Sequence, residues 1–179
     1  MNYDIGFFFE PNDKGLIKLL NETPGFTYKQ TLPDGRETSI PRSHAQNPTD
    51  TIPTMCIDAM RVLLSKTLPR FQSRDLLAPK VCWCADTMDR EWLLTPHPVH
   101  ERLVMGTGDS GNAFKQLPVI GKYIGDIVQG KSLEPVLQET WRWRSDKKPR
   151  VPRLGGDGKI RDLKDVDGWK GSGSSVHKL

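Results

Sequence analysis

The sequence predicts an α+β protein. Short apolar runs bounded by turn residues read as strands, and two longer stretches carry apolar residues at helical spacing. No internal repeat joins these pieces into an array. A chain of 179 residues buries one good core or parts of two.

The runs "YDIGFFFEP" and "GLIKLLNE" flank Pro11-Asn12-Asp13-Lys14-Gly15 and predict a hairpin. Pro33-Asp34-Gly35 is a second turn signal and predicts a strand pair near residues 27–40. "RSHAQNPTDTIP" reads as loop. A helix follows, with Thr51 as its expected cap, Pro53 in its first turn and an end near Pro69. Cys56, Met60, Leu63 and Leu64 form its apolar face. "KVCWCAD", "EWLLTP" and "RLVMGTG" are three further strand candidates. The third feeds a glycine-rich turn and a helix in which Phe114, Leu117, Ile120, Ile124 and Ile127 recur every third or fourth residue. Pro118 falls in its first turns, where a missing N–H is tolerated best. Beyond Gly130 the chain becomes polar, then basic, then Gly/Ser-rich.

Composition narrows the function classes. No run approaches the roughly 18 apolar residues of a membrane-spanning helix, and no membrane partner is expected. "MNYDIGFFFEP" lacks the basic start and long apolar core of a signal peptide. Three cysteines do not build a secreted disulfide framework, and reduced thiols are expected. The net charge of +4 is concentrated in "WRWRSDKKPRVPR". Basic residues mixed with Trp141 and Trp143 suit nucleic acid, but a solvated arm anchored by its tryptophans is the preferred reading.

Gly106, Gly108 and Gly111 spell G-x-G-x-x-G between a strand-like run and a helix, the local setting of a dinucleotide site. Such a site needs a second strand ending in an acidic residue about 20 residues on. "GKSLEPVLQETWRWRSDKKPR" offers none, so the motif fails as a dinucleotide fingerprint. A Gly-rich turn at a helix N-terminus still favours an anion or an electron-rich oxygen. Cys82, Cys84, His97 and His100 have the outline of a zinc site. Their C-x-C and H-x2-H spacings depart from the usual C-x2–4-C and H-x3–5-H, and no metal is expected. Lys18 and Lys115 each follow apolar neighbours. A snorkelling surface lysine is the ordinary reading, whereas an inward lysine beside a cofactor is functional.

Taken together, "IGFFFEPNDKGLIK", "PGFT", "IPRSHAQNPTDT", "VCWCADTMDREWLL", "GDSGNAFKQLPVIGKYI" and "WRWR" resemble the C-terminal half of fungal fructosyl amino acid oxidases, the amadoriases. These belong to a group of flavin amine oxidases that includes sarcosine, pipecolate and saccharopine oxidases. The resemblance implies the C-terminal part of a two-domain enzyme: a substrate-domain mixed sheet plus one returning strand and helix of the FAD domain. Residues 1–79 would belong to the substrate domain, 80–130 would contact the flavin, and 131–179 would form a C-terminal arm. The dinucleotide-binding half of such enzymes is expected upstream of this sequence, so the chain alone is expected to be inactive.

The resemblance also implies residue roles. Cys82 matches the cysteine joined covalently to the flavin, a role that suits a thiol able to form thiolate; Cys84 would be a bystander. Lys18 matches the catalytic lysine that assists reaction with O2, where a fixed positive charge stabilises developing negative charge. Glu22 and Lys115 match substrate-binding residues, Lys115 holding the substrate carboxylate. Arg161 matches an arginine that helps there, with Lys159 as a rival. Gly108, Ser110, Gly111, Asn112, Phe114 and Lys115 would line the flavin's pyrimidine edge. Asn112 and Ala113 stand where relatives often carry His-Gly, which leaves substrate preference open.

The implied reaction oxidises the C–N bond of a secondary amino acid with O2, giving an imine and hydrogen peroxide. A fructosyl amino acid is the expected substrate; saccharopine, pipecolate and sarcosine are alternatives. The tail "GSGSSVHKL" ends in His177-Lys178-Leu179, similar to a peroxisomal address read by an import receptor. Peroxisomal localisation is therefore expected, or cytoplasmic if the tail is not recognised. An inactive fragment or a basic nucleic-acid-binding module is the competing class, although no nucleic-acid partner is expected.

Overall fold

A computed structural model describes residues 6–21, 24–108, 110–111, 113–144 and 158–170. Along the chain these form β1 (Phe7–Phe8), β2 (Leu19–Leu20), β3 (Phe26–Thr27), β4 (Lys29–Thr31) and β5 (Glu37–Ser39), then α1 (Thr54–Thr67). They continue with β6 (Leu93–Pro96), β7 (Val104–Thr107), α2 (Ala113–Val128), α3 (Pro135–Trp141) and β8 (Arg161–Asp162). The architecture is α+β, with short strands in pairs. The chain divides into two compact units, Met1–Trp83 with Val151–Leu179, and Cys84–Arg150.

In the first unit, turn chemistry sets two hairpins. The Asn12 side chain accepts from the N–H groups of Lys14 and Leu16, an Asx-type closure, and β1 and β2 pair antiparallel beyond it. Asp34 accepts from the Arg36 N–H, Gly35 takes a left-handed φ, and β4 pairs with β5 across that turn. Both hairpins fall where the sequence places them. The parallel pairing of β3 with β8 joins residues more than 130 positions apart, a link no local pattern announces.

Helix α1 buries Cys56, Leu63 and Leu64. Its start corrects the expected cap. Pro53 occupies the N-cap position without a side-chain hydrogen bond, and Thr51 uses its own N–H to reach the Trp169 carbonyl. The Thr54 N–H donates to the Asp167 carbonyl. Two backbone bonds to the 167–169 segment thus satisfy the amides around the helix entry, so no side-chain cap is required. Ile52, Leu163 and Trp169 are buried in the same unit.

In the second unit, β6 and β7 pair antiparallel from Leu93↔Thr107 to Pro96↔Val104. Their core is Leu94, Ile127 and Trp141, flanked by Trp92, Val104, Ile120, Tyr123, Leu133 and Leu137. Tyr123 and Trp141 meet edge-on at 5.3 Å, the arrangement that ring quadrupoles favour. The buried face of α2 is therefore Ile120–Tyr123–Ile127, rotated from the expected stripe. Phe114 and Leu117 lie on the exposed side, at 87% and 65%. Pro118 sits in the second turn of α2.

The expected strand "KVCWCAD" does not form: residues 80–86 are irregular. Its composition signals a half-buried surface, as β-propensity does in general, and Val81 and Trp83 are indeed half-buried. A strand additionally needs a paired neighbour, and this segment is secured by a side chain instead.

Candidate active site

Trp83 supplies that side chain. Its indole N–H donates to the Arg42 carbonyl at 2.8 Å, a long-range tie within the first unit. Arg42 is fixed in turn by a two-point contact with Asp50, at 2.5 Å and 3.2 Å. Its guanidinium also lies 5.4 Å from the ring centres of both Tyr28 and Trp169. The hydrogen-bonded Asp50 carboxylate raises the Arg42 pKa further above its ordinary value. The "IPRSHAQNPTDT" loop is thus a socket for Trp83, and the adjacent Cys82 thiol is exposed.

Lys18 directly precedes β2 and is exposed, its ammonium 5.5 Å from the Phe9 ring centre. Arg161 begins β8, and its guanidinium donates to the Lys159 carbonyl at 3.3 Å. Asp162 secures the β3–β8 pairing by accepting from the Lys29 N–H at 2.7 Å and the Thr27 hydroxyl at 3.1 Å. Burial pushes the Asp162 carboxyl up, but the Lys164 and Lys29 N–H groups and the Thr27 hydroxyl outweigh it. Its pKa stays below the usual value.

The second unit holds the glycine turn. Gly108, Ser110 and Gly111 have φ of 74°, 50° and 79°. Ser110 is only 2% exposed, and a buried non-glycine residue in this region costs about 1–3 kcal/mol. Its hydroxyl donates to the Gly108 carbonyl at 3.2 Å, and its N–H points to the Ala85 carbonyl at 3.5 Å. A Cβ at Gly108 would collide with Thr87 Cγ2, so glycine is required there by both conformation and space. Helix α2 starts two residues after Gly111, and Phe114 and Lys115 lie exposed in its first turn.

No family model matches the sequence. L-saccharopine oxidase of Schizosaccharomyces pombe is 38% identical over 110 residues, covering 62% of this chain and 25% of that protein. A modified fructosyl peptide oxidase from Aspergillus nidulans superposes with a TM-score of 0.85 at 38% identity, across 94% of this chain and 40% of that one. By sequence and by fold, this chain is similar to amadoriase-type oxidases. The fructosamine oxidase Amadoriase II of Aspergillus fumigatus shows the same likeness, with a TM-score of 0.83 at 36% identity over 94% of the chain. The chain thus spans about two fifths of the length of these solved structures and one quarter of the saccharopine oxidase.

Within this chain, Gly108, Ser110 and Gly111 are gathered into one turn with Phe114 and Lys115 beside it. Lys18, Cys82 and Arg161 lie in the other unit. Glu22, Asn112 and the His177-Lys178-Leu179 tail fall outside the described residues. His97, a candidate in the zinc-like pattern, accepts the N–H groups of Val99 and His100 at its Nδ1. The largest surprise is Arg144. The expected solvated arm contains a side chain only 5% exposed, whose nitrogens are all turned inward. The alternation in "WRWR" was the available signal, because it ties Arg144 directly to Trp143 at the end of an aromatic-rich segment.

Proposed function

We propose that this chain provides part of an FAD-dependent oxidase that oxidises the C–N bond of a secondary amino acid with O2. The observation that carries the reading is the left-handed backbone of Gly108, Ser110 and Gly111 just before α2, with Gly108 and Ser110 buried. Strain held at a loop between a strand and a helix is characteristic of functional sites. The residues present fit a flavin: Cys82 offers an accessible thiol, and Gly108, Ser110 and Gly111 form a tight turn just before α2. The similarity to oxidases of saccharopine and fructosyl peptides supports the same chemistry.

When bound, FAD would supply hydride acceptance and reoxidation by O2. Cys82 would anchor it covalently, the neighbouring Trp83 holding that segment on Arg42. The glycine turn and the N-terminus of α2 would place partial positive charge where negative charge accumulates on reduction. Lys18 would contribute the fixed charge used with O2. Lys115, with Arg161 and Glu22, would orient the amino acid. A fructosyl amino acid is the preferred substrate, with saccharopine, pipecolate and sarcosine to be separated by a peroxide-coupled screen. The C-terminal tripeptide would direct the enzyme to peroxisomes, and a fusion with a free C-terminus that stays cytosolic would refute that address.

The decisive experiment is acid precipitation of the flavin-loaded full-length oxidase that contains this chain. Flavin absorbance should remain with the precipitate, and Cys82→Ala should release it. Flavin retained by that variant would overturn the assignment of Cys82.

A further inference from the structure

The glycine turn does not hold itself. It rests on the 85–91 loop: the Ser110 N–H points to the Ala85 carbonyl, and Thr87 occupies the space over Gly108. Thr87 is oriented by its hydroxyl, which donates to the Glu91 carbonyl at 2.6 Å and to Asp89 Oδ1 at 3.2 Å. Asp89 Oδ1 also accepts from the Glu91 N–H. This loop would collapse around a buried carboxylate if nothing neutralised it.

Arg144 does so from the end of "WRWR". Its Nε lies 2.6 Å from Asp89 Oδ2 and its Nη2 3.0 Å from Oδ1, with side-chain exposures of 5% and 4%. The same Nη2 reaches the Glu91 carbonyl at 3.1 Å, and Nη1 reaches the Trp92 carbonyl at 3.0 Å. Nη1 also donates to the Thr140 carbonyl at 2.6 Å and the Arg142 carbonyl at 3.0 Å, which closes the C-terminus of α3. One planar fork therefore fastens the end of α3 to the loop beneath the glycine turn. A lysine ammonium cannot reproduce that geometry.

We infer that Arg144 is the positioning residue of the glycine turn, acting through Asp89 and Thr87. It touches none of the reacting groups; it holds the surface that meets them. The consequence for chemistry rests on the reading that this turn faces a flavin.

The test uses the flavin-loaded full-length oxidase that contains this chain, and two readouts. One is amide hydrogen exchange across Gly106–Gly111. The other is sulfite affinity, read from bleaching of the flavin absorbance, which reports the electrostatic field at the flavin. Arg144→Lys should speed exchange in the turn and weaken sulfite binding about tenfold, the equivalent of one charged hydrogen bond. Thr87→Ser keeps the hydroxyl but removes the methyl over Gly108, and should produce a smaller change of the same kind in a protein that still folds. Faster melting of Arg144→Lys with unchanged exchange at Gly106–Gly111 would overturn the inference and leave Arg144 a purely structural tie. Gly108→Ala separates the two claims. If that variant leaves sulfite affinity unaltered, the flavin reading of the turn fails, while faster exchange in Arg144→Lys would still uphold the positioning role.

Discussion

Each unit contains one arginine that organises a loop next to a candidate site residue, and the two solve the problem differently. Arg42 is partly solvated: its side chain is 26% exposed and that of its partner Asp50 is 13% exposed. Two aromatic rings and one carboxylate hold it, and it serves Trp83 through its backbone carbonyl. Arg144 is interior and is surrounded by carbonyls and a carboxylate. The first arrangement stays close to water, so its net energy is modest. The second removes two charges from water and is stable only when both are present. Equal chemistry at different depth thus gives a tolerant socket in one unit and a brittle clamp in the other.

Removing one partner should expose that difference. Arg144→Ala should cost about 3–5 kcal/mol in urea unfolding, because Asp89 is left charged and buried. A loss below 1 kcal/mol would erase the contrast between the two arginines. Gly108→Ala should follow, at about 1–3 kcal/mol, from a left-handed φ and a collision with Thr87. Arg42→Ala should cost about 1–2 kcal/mol through the partly solvated pair and its ring contacts. That effect should shrink in high salt, unlike the Arg144 effect, since screening reaches only the solvated pair.

Two weaker tests concern protons. Burial pushes the Cys56 thiol up to about 11, whereas Cys82 and Cys84 are exposed. Alkylation of the flavin-free protein near pH 8, followed by mass spectrometry, should therefore label Cys82 and Cys84 well before Cys56. Asp162 has a folded-state pKa below its unfolded value. Its contribution is complete above the unfolded value and is lost as pH falls through the folded one. Acid unfolding of Asp162→Asn should accordingly show a slightly flatter dependence below about pH 4.

Local chemistry made much of this legible. Asn12 and the Pro33-Asp34-Gly35 turn announced their hairpins, and the spacing of Cys56, Leu63 and Leu64 announced the buried face of α1. The glycines of the turn before α2 were visible. Thr51 misled because a helix end can be satisfied by any carbonyl nearby, and here Asp167, more than 100 residues away, supplies it. "KVCWCAD" misled because its apolar residues report burial, while strand formation depends on a partner. Phe114 and Leu117 share a periodic pattern with Ile120 and Ile127, yet periodicity does not reveal which arc meets Tyr123, Trp141 and Leu94.

By itself, the sequence determined the α+β class, the turns, helices α1 and α2 though not α3, and the likeness to amine oxidases, because each is written in short-range patterns or ordered motifs. Only the tertiary structure decided that Arg144 is an internal clamp, that Trp83 hangs from Arg42, and that β3 pairs with β8. Those features depend on which distant groups a buried charge, N–H or strand edge finds as a partner. In a low-dielectric interior that choice is made by packing across the chain.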